Sequence, residues 1–155
     1  MQRDDYYFKS AADEANFAGC LRAKCGAVIV DRDGNVIGKG HNSPPLEDAT
    51  QRTCNSEWDL AIKPKYDKTC CIHAEWNAIL EAVKNNPQKL SGSTLYFMRI
   101  DEKGEFTDAG EPFCTVCSRL SLQSGVSTFA LWNSSGIVKY DSKDYNSRSY
   151  AYYEK

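Results

Sequence analysis

At 155 residues the chain fits one compact domain, 1–155, and a domain of this size buries roughly 68–70% of its unfolded surface. Lys plus Arg number 19 against 21 Asp plus Glu, a net charge of −2, so the global field argues against a polynucleotide partner. With 41% hydrophobic residues the chain is too apolar for disorder, yet its longest apolar runs, such as Ala27-Val28-Ile29-Val30, fall far short of the ~18 residues that span a bilayer.

Tyr7, Ala11, Ala15, Ala18 and Leu21 recur at helical spacing and predict an amphipathic helix over 6–21. Cys25 to Val30 is a short β-branched run, and Asp33-Gly34-Asn35 is turn chemistry, so a hairpin into Val36–Gly40 is expected. Residues 42–70 carry Pro44-Pro45 and Pro64 without a sustained period, and read as a long loop. Ile72, Trp76, Ile79, Leu80 and Val83 predict one face of a helix that stops near Asn85-Asn86-Pro87. Ser93–Ile100 reads as a strand, 101–111 as a charged excursion, and Pro112 as the opening of a helix running to about Gln123. Val126–Trp132 is a further strand, Gly136–Tyr140 another, and the end rich in tyrosine reads as a short helix or docked tail. The order α-β-β-α-β-α-β predicts an α/β sandwich with helices on the faces of a central sheet. Met1-Gln2-Arg3-Asp4-Asp5 carries no apolar stretch for a signal peptide, so no membrane partner and a cytoplasmic location are expected.

The seven cysteines are Cys20, Cys25, Cys54, Cys70, Cys71, Cys114 and Cys117. An odd number in a reducing compartment favours metal ligands, catalytic groups or core thiols over crosslinks. His41 and His73 are the only histidines, which narrows any metal site. His73-Ala74-Glu75 and Pro112-Phe113-Cys114-Thr115-Val116-Cys117 both fall at predicted helix starts, whose free N–H groups and positive end stabilise thiolates and developing anions. Cys114 and Cys117 lie about one turn apart, so both sulfurs can face one point. His73 then completes three protein ligands for a tetrahedral zinc, with the fourth position open to water as in catalytic sites. Glu75 is close enough to reach that water without binding the metal. Taken alone, Cys-x-x-Cys also reads as a redox pair or two buried thiols, and His73 as a structural histidine. The joint pattern points to catalytic zinc.

His-x-Glu followed by Pro-Cys-x-x-Cys is the signature of zinc deaminases, and the chain resembles the cytidine and deoxycytidylate deaminase family, its deoxycytidylate branch above all. The matching stretches are Cys20–Val30, Gly38–Pro45, and Cys54 and Cys70 ahead of Ile72–Ile79. The resemblance runs from about residue 8 to 132 and leaves 133–155 as a C-terminal extension. It implies a cytidine-deaminase-like three-layer α/β/α sandwich around a mixed five-stranded sheet, with a parallel crossover between the strands at 93–100 and 126–132. It further implies Zn2+ held by His73, Cys114 and Cys117, with Glu75 as proton shuttle. Asn42 would contact the sugar and the backbone at Ala74 the pyrimidine edge. The implied activity is hydrolytic deamination of a cytosine nucleotide, dCMP to dUMP plus ammonia. Another small substrate (a nucleoside, guanine, a riboflavin-pathway pyrimidine) or tRNA adenosine is the alternative, and a non-catalytic zinc or thiol-redox module is the rival from a different class. A homo-oligomer is expected, because family members often assemble.

The chain departs from the family pattern in three places. Phe113 separates Pro112 from Cys114, the 101–111 excursion is long, and His41 stands where Tyr is common. Cys25 is expected to be a core thiol, while Cys20, Cys54, Cys70 and Cys71 bracket the long loop and read as packing thiols or a second, structural metal. Arg22, Lys24, Lys39 and Arg52 are the basic residues considered for a substrate phosphate, with solvated surface charge as the competing reading.

Overall fold

The structure, a computed structural model, describes residues 2–20, 23–53 and 70–152. Helix α1 (Gln2–Ala15) is followed by strands β1 (Lys24–Val30) and β2 (Val36–His41), then α2 (Ala74–Asn85), β3 (Ser93–Ile100) and β4 (Phe106–Thr107). Helix α3 (Thr115–Ser124), β5 (Val126–Asn133), β6 (Gly136–Asp141) and α4 (Ser142–Ala151) complete the order. The long loop contains two 3-10 turns, Pro45–Glu47 and Ala49–Gln51, and its residues 54–69 fall outside the described residues.

The strands lie in the order β2-β1-β3-β5-β6, and β4 pairs with β3 off that path. Five strands were expected and six are present. The extra one is the two-residue β4, too short to carry an alternating pattern that sequence reading can detect. β1 pairs antiparallel with β2 and β3, whereas β3 and β5, joined through α3, are parallel as the crossover rule requires. The Asp31–Asn35 turn closes as its sequence predicts: Gly34 takes φ 88, and the Asp31 carboxylate accepts from the Asp33 and Asn35 N–H groups at 2.9 Å each.

Alternation along the strands divides the core into two. Val28, Val30, Tyr96, Met98 and Ile100 pack on one face of the sheet against Tyr7, Phe8, Ala11, Ala12 and Ala15 of α1. Cys25, Ala27, Ile29, Leu95, Phe97 and Phe129 pack on the other, against Ala74, Ala78, Ile79 and Ala82 of α2 and Tyr145 of α4. The tail is therefore docked on this same chain. Tyr145 stacks on Phe129 with ring centroids 3.8 Å apart, and the Ser118 hydroxyl of α3 donates to Asn146 Oδ1 at 2.6 Å.

Helix boundaries depart from the sequence reading in informative ways. α1 ends at Ala15 rather than near residue 21. α2 begins at Ala74, and its buried stripe is Ala74, Glu75, Ala78, Ile79 and Ala82, while Leu80 and Val83 are exposed. The alanines win because α2 lies against the glycines of β2. A Cβ on Gly40 would sit 2.4 Å from both the Ala74 carbonyl oxygen and the Ala78 nitrogen, so only a bare backbone fits there. α3 begins at Thr115, three residues past Pro112, with Cys114 as its N-cap and Gly125 (φ 104) as its left-handed C-cap.

Gly26 performs the equivalent task on the opposite face. A Cβ there would come within 1.9 Å of the Ala11 carbonyl oxygen of α1, a backbone atom that cannot move without displacing the helix. Gly26→Ala is accordingly expected to destabilise the chain by about 2 kcal/mol or more, read as a fall in Tm of about 5 °C or more in thermal denaturation.

Candidate active site

One end of the sheet, where β1 begins and β2 and β3 end, gathers the starts of α2 and α3. His73 is the N-cap of α2 and Cys114 the N-cap of α3, both extended in backbone and placed immediately before the first helical turn. Cys117 lies one turn into α3 and is fully buried. His73 Nδ1 is 3.2 Å from Cys117 Sγ and 3.6 Å from Cys114 Sγ. Among the described residues this is the one group of three or more His, Cys, Asp or Glu side chains whose ligand atoms converge, all within 4.8 Å of one another.

The donor set suits zinc on chemical grounds. Bonds of about 2.0–2.1 Å to imidazole nitrogen and 2.3 Å to sulfur, at tetrahedral angles, place N and S ligand atoms roughly 3.5 Å apart. The observed separations bracket that value. Electrostatics around the thiols is unequal. Cys114 is pulled down to about 4, first by the hydrogen bond from Cys117 and then, against the opposing effect of burial, by His73 and the Cys117 N–H. Burial pushes the Cys117 thiol well up, and its contact with Cys114 adds to this. A cation among these three atoms favours loss of that second proton, which couples metal binding to release of a proton.

Glu75 stands two residues beyond His73 on the first turn of α2. Its side chain is buried, and burial is the largest influence raising its pKa, with the His73 charge opposing. A carboxyl held in this way keeps its proton to higher pH than a solvated one, the direction that acid–base chemistry favours. His73, Cys114 and Cys117 all act on its charge, so it sits beside the ligand set, yet it is not a member of the converging group.

The neighbouring backbone is braced by side chains. Asn42 is buried; its Oδ1 accepts from the Cys25 N–H at 2.9 Å and its Nδ2 donates to the Ala23 carbonyl at 2.8 Å. Ser43 and Ile72 exchange backbone hydrogen bonds of 3.1 and 2.7 Å, tying the end of β2 to the segment that delivers His73. Asn77 Nδ2 donates to the His41 carbonyl at 2.8 Å across the same seam. Ala74 is buried, and as the first residue of α2 it contributes an N–H that has no partner within the helix.

Several residues fall elsewhere than the sequence reading placed them. The His41 ring is turned to the α1 face, where Nδ1 meets Glu14 at 2.8 Å and Nε2 meets Glu47. Burial alone would lower its pKa, and the two carboxylates outweigh that and raise it. Lys24 and Lys39 share the parity of Gly26 and Val28 and therefore also belong to the α1 face. Arg52 Nη2 donates to the Gly19 carbonyl at 2.6 Å, while Arg22 lies outside the described residues. Cys25 is the buried core thiol expected of it. Cys20 Sγ approaches Cys71 Sγ to 2.8 Å and Cys70 is buried, while Cys54, the fourth thiol bracketing the loop, lies outside the described residues.

Sequence reading missed the aromatic wall of the site. Trp76 stacks on His73, with centroids 4.4 Å apart and 9° between the planes, which fixes the imidazole plane. Its i+3 spacing from His73 was the available signal, hidden because Trp76 also fitted an apolar stripe.

A mixed sheet with helices on both faces and a His-Cys-Cys set at two helix starts defines a metal site of catalytic zinc type on an α/β sandwich. Residues 1–132 match the family model described as the cytidine and deoxycytidylate deaminase zinc-binding region, and the chain belongs to that family. The deoxycytidylate deaminase of Mycobacterium phage D29 is 33% identical over 129 residues, covering 79% of this chain and 88% of the phage protein. Among solved structures, the dCMP deaminase of cyanophage S-TIM5 in complex with dCMP and dUMP aligns with TM-score 0.59 at 23% identity, over 83% of this chain and 79% of that one. The cytidine deaminase of Burkholderia pseudomallei aligns with TM-score 0.60 at 17% identity, over 91% and 94% of the two chains. These two structures bear on the fold.

Cys117→Ser is expected to lose most bound metal, because a hydroxyl is a poor substitute for thiolate, and to melt at lower temperature, because metal binding is coupled to folding. Metal analysis of the purified protein, expected at about one zinc per chain before substitution, checks both together with a melting curve.

Proposed function

We propose that the protein is a zinc-dependent deoxycytidylate deaminase, converting dCMP and water to dUMP and ammonia. The observation that carries this reading is Glu75, a buried carboxyl beside the His73-Cys114-Cys117 set that a structural zinc site does not need. The substrate assignment is supported by the phage D29 relative, which is named a deoxycytidylate deaminase. His73, Cys114 and Cys117 hold the zinc, which when bound lowers the pKa of a coordinated water to about 7.

The chain's own residues do the rest. Glu75 takes a proton on the water side and delivers protons to the pyrimidine N3 and to the departing amine, so that C4 loses NH3 and gains oxygen. The raised pKa of Glu75 suits a group that must both accept and return protons. The Ala74 N–H faces the pyrimidine edge, and Asn42, fixed between Ala23 and Cys25, stands on the sugar side. Trp76 keeps the His73 ring from rotating. A cytoplasmic homo-oligomer belongs to the same reading. No described helix is long and apolar enough to cross a membrane, and the exposed Leu80 and Val83 on α2 support self-association.

Glu75→Ala tests the reading directly. The variant is expected to keep its zinc and its fold, since Glu75 is not a ligand, while turnover of dCMP falls by ~10²–10⁴-fold or more. Ammonia release with dCMP, CMP, deoxycytidine, dCTP, guanine and adenosine as substrates establishes the preference. Near-parental deamination by Glu75→Ala would overturn the mechanism.

A further inference from the structure

A nucleotide substrate carries a dianionic phosphate, and a chain of net charge −2 needs a dedicated cation to hold it. Lys24 and Lys39 belong to the face of the sheet that packs on α1, away from the ligand set. Arg99 belongs to the other face. Along β3, Tyr96, Met98 and Ile100 enter the α1 core, while Leu95 and Phe97 enter the core shared with α2. Alternation places Arg99 with the second group, at the end of the strand nearest the starts of α2 and α3.

Register places it more closely. The Cα partner of Arg99 on β1 is Cys25, whose N–H is held by the Asn42 side chain at 2.9 Å. The Arg99 and Glu75 charges both act on the Cys25 thiol, with opposite effect, and burial outweighs them. Arg99 thus stands across β1 from the sugar-side asparagine and on the same side of the sheet as the proton shuttle. Its backbone is fixed while its side chain is exposed: it pairs with Thr107 of β4, whose hydroxyl donates to the Arg99 carbonyl at 3.2 Å. Among the described residues no carboxylate forms an ion pair with it. The 101–111 excursion, which departs from the family pattern, supplies β4 and so continues the sheet out to this residue.

We propose that Arg99 is the specificity residue for the substrate's phosphate, its guanidinium taking the 5′-phosphate beyond Asn42 at the outer edge of the site. The proposal rests on the nucleotide reading above. A guanidinium offers the planar fork that phosphate oxygens accept in pairs, and the exposed Arg99 side chain can meet a ligand at the strand end without breaking an ion pair.

The test compares kcat/KM for dCMP and deoxycytidine in the zinc-loaded full chain, for the parent, Arg99→Ala, Arg99→Gln and Arg99→Lys. Zinc content and Tm are measured on each. Loss of charge-assisted hydrogen bonds predicts a drop of about 10–100-fold for dCMP in Arg99→Ala and Arg99→Gln. Deoxycytidine turnover, zinc content and Tm stay at parental values, and Arg99→Lys recovers part of the loss. Rising salt is expected to shrink the parent's preference for dCMP and to leave that of Arg99→Ala little changed. Undiminished discrimination in both neutral variants, or equal losses on the two substrates, would overturn the assignment of Arg99. Should the parent itself turn over the two substrates equally, the nucleotide reading falls and Arg99's role with it, a result visible before any variant is made.

Discussion

The close seating of α2 on β2 is the contact on which the site depends. Gly38 and Gly40 leave the strand bare where Ala74, Ala78 and Ala82 approach it, and that contact fixes the height of the first helical turn above the sheet. His73 and Glu75 flank Ala74, so their positions follow from a backbone fit in which neither takes part. Larger side chains on either surface would lift the helix and move His73 and Glu75 together. Small residues in this region therefore serve placement more than core volume, since alanines bury little apolar surface compared with leucine or phenylalanine.

The second half of the ligand set is delivered by a different device. Cys114 caps α3, and its sulfur accepts from the Cys117 N–H at 3.4 Å. The cap thus holds one metal-binding atom in place and orients the turn that brings up the other. Because both helices begin at the site, their unpaired N–H groups and positive ends converge where anionic sulfur and a carboxylate gather. The two ends offset much of the local negative charge before any cation arrives.

Much of this was legible in the sequence, and the failures have physical causes. His73, Cys114 and Cys117 were readable because metal geometry restricts spacing, and the Asp31–Asn35 turn because Asp-Gly chemistry is local. The buried stripe of α2 was misread because hydrophobicity ranked Leu80 and Val83 above alanine, whereas glycines more than thirty residues earlier select for small size. Pro112 suggested a helix start that Cys114 supplies instead, since a capping thiol is not among the usual N-cap residues. Lys24 and Lys39 precede the site in sequence, but strand parity sends them to the far face. Arg99 is not legible in the sequence because a charge at the end of an apolar strand reads as a solvated terminus until register is known.

The C-terminal extension changes what counts as a unit. The family model matches residues 1–132, yet Tyr145 fills the surface above Phe129 and Asn146 receives the Ser118 hydroxyl of the helix bearing Cys117. The span that the family model matches and the span that packs together therefore differ in this chain. A fragment trimmed to the matched span would keep His73, Cys114 and Cys117 and lose the packing of α4 on α3 and β5. Grafting or minimising such a domain must follow its contacts, because inheritance marks only where the chemistry is written.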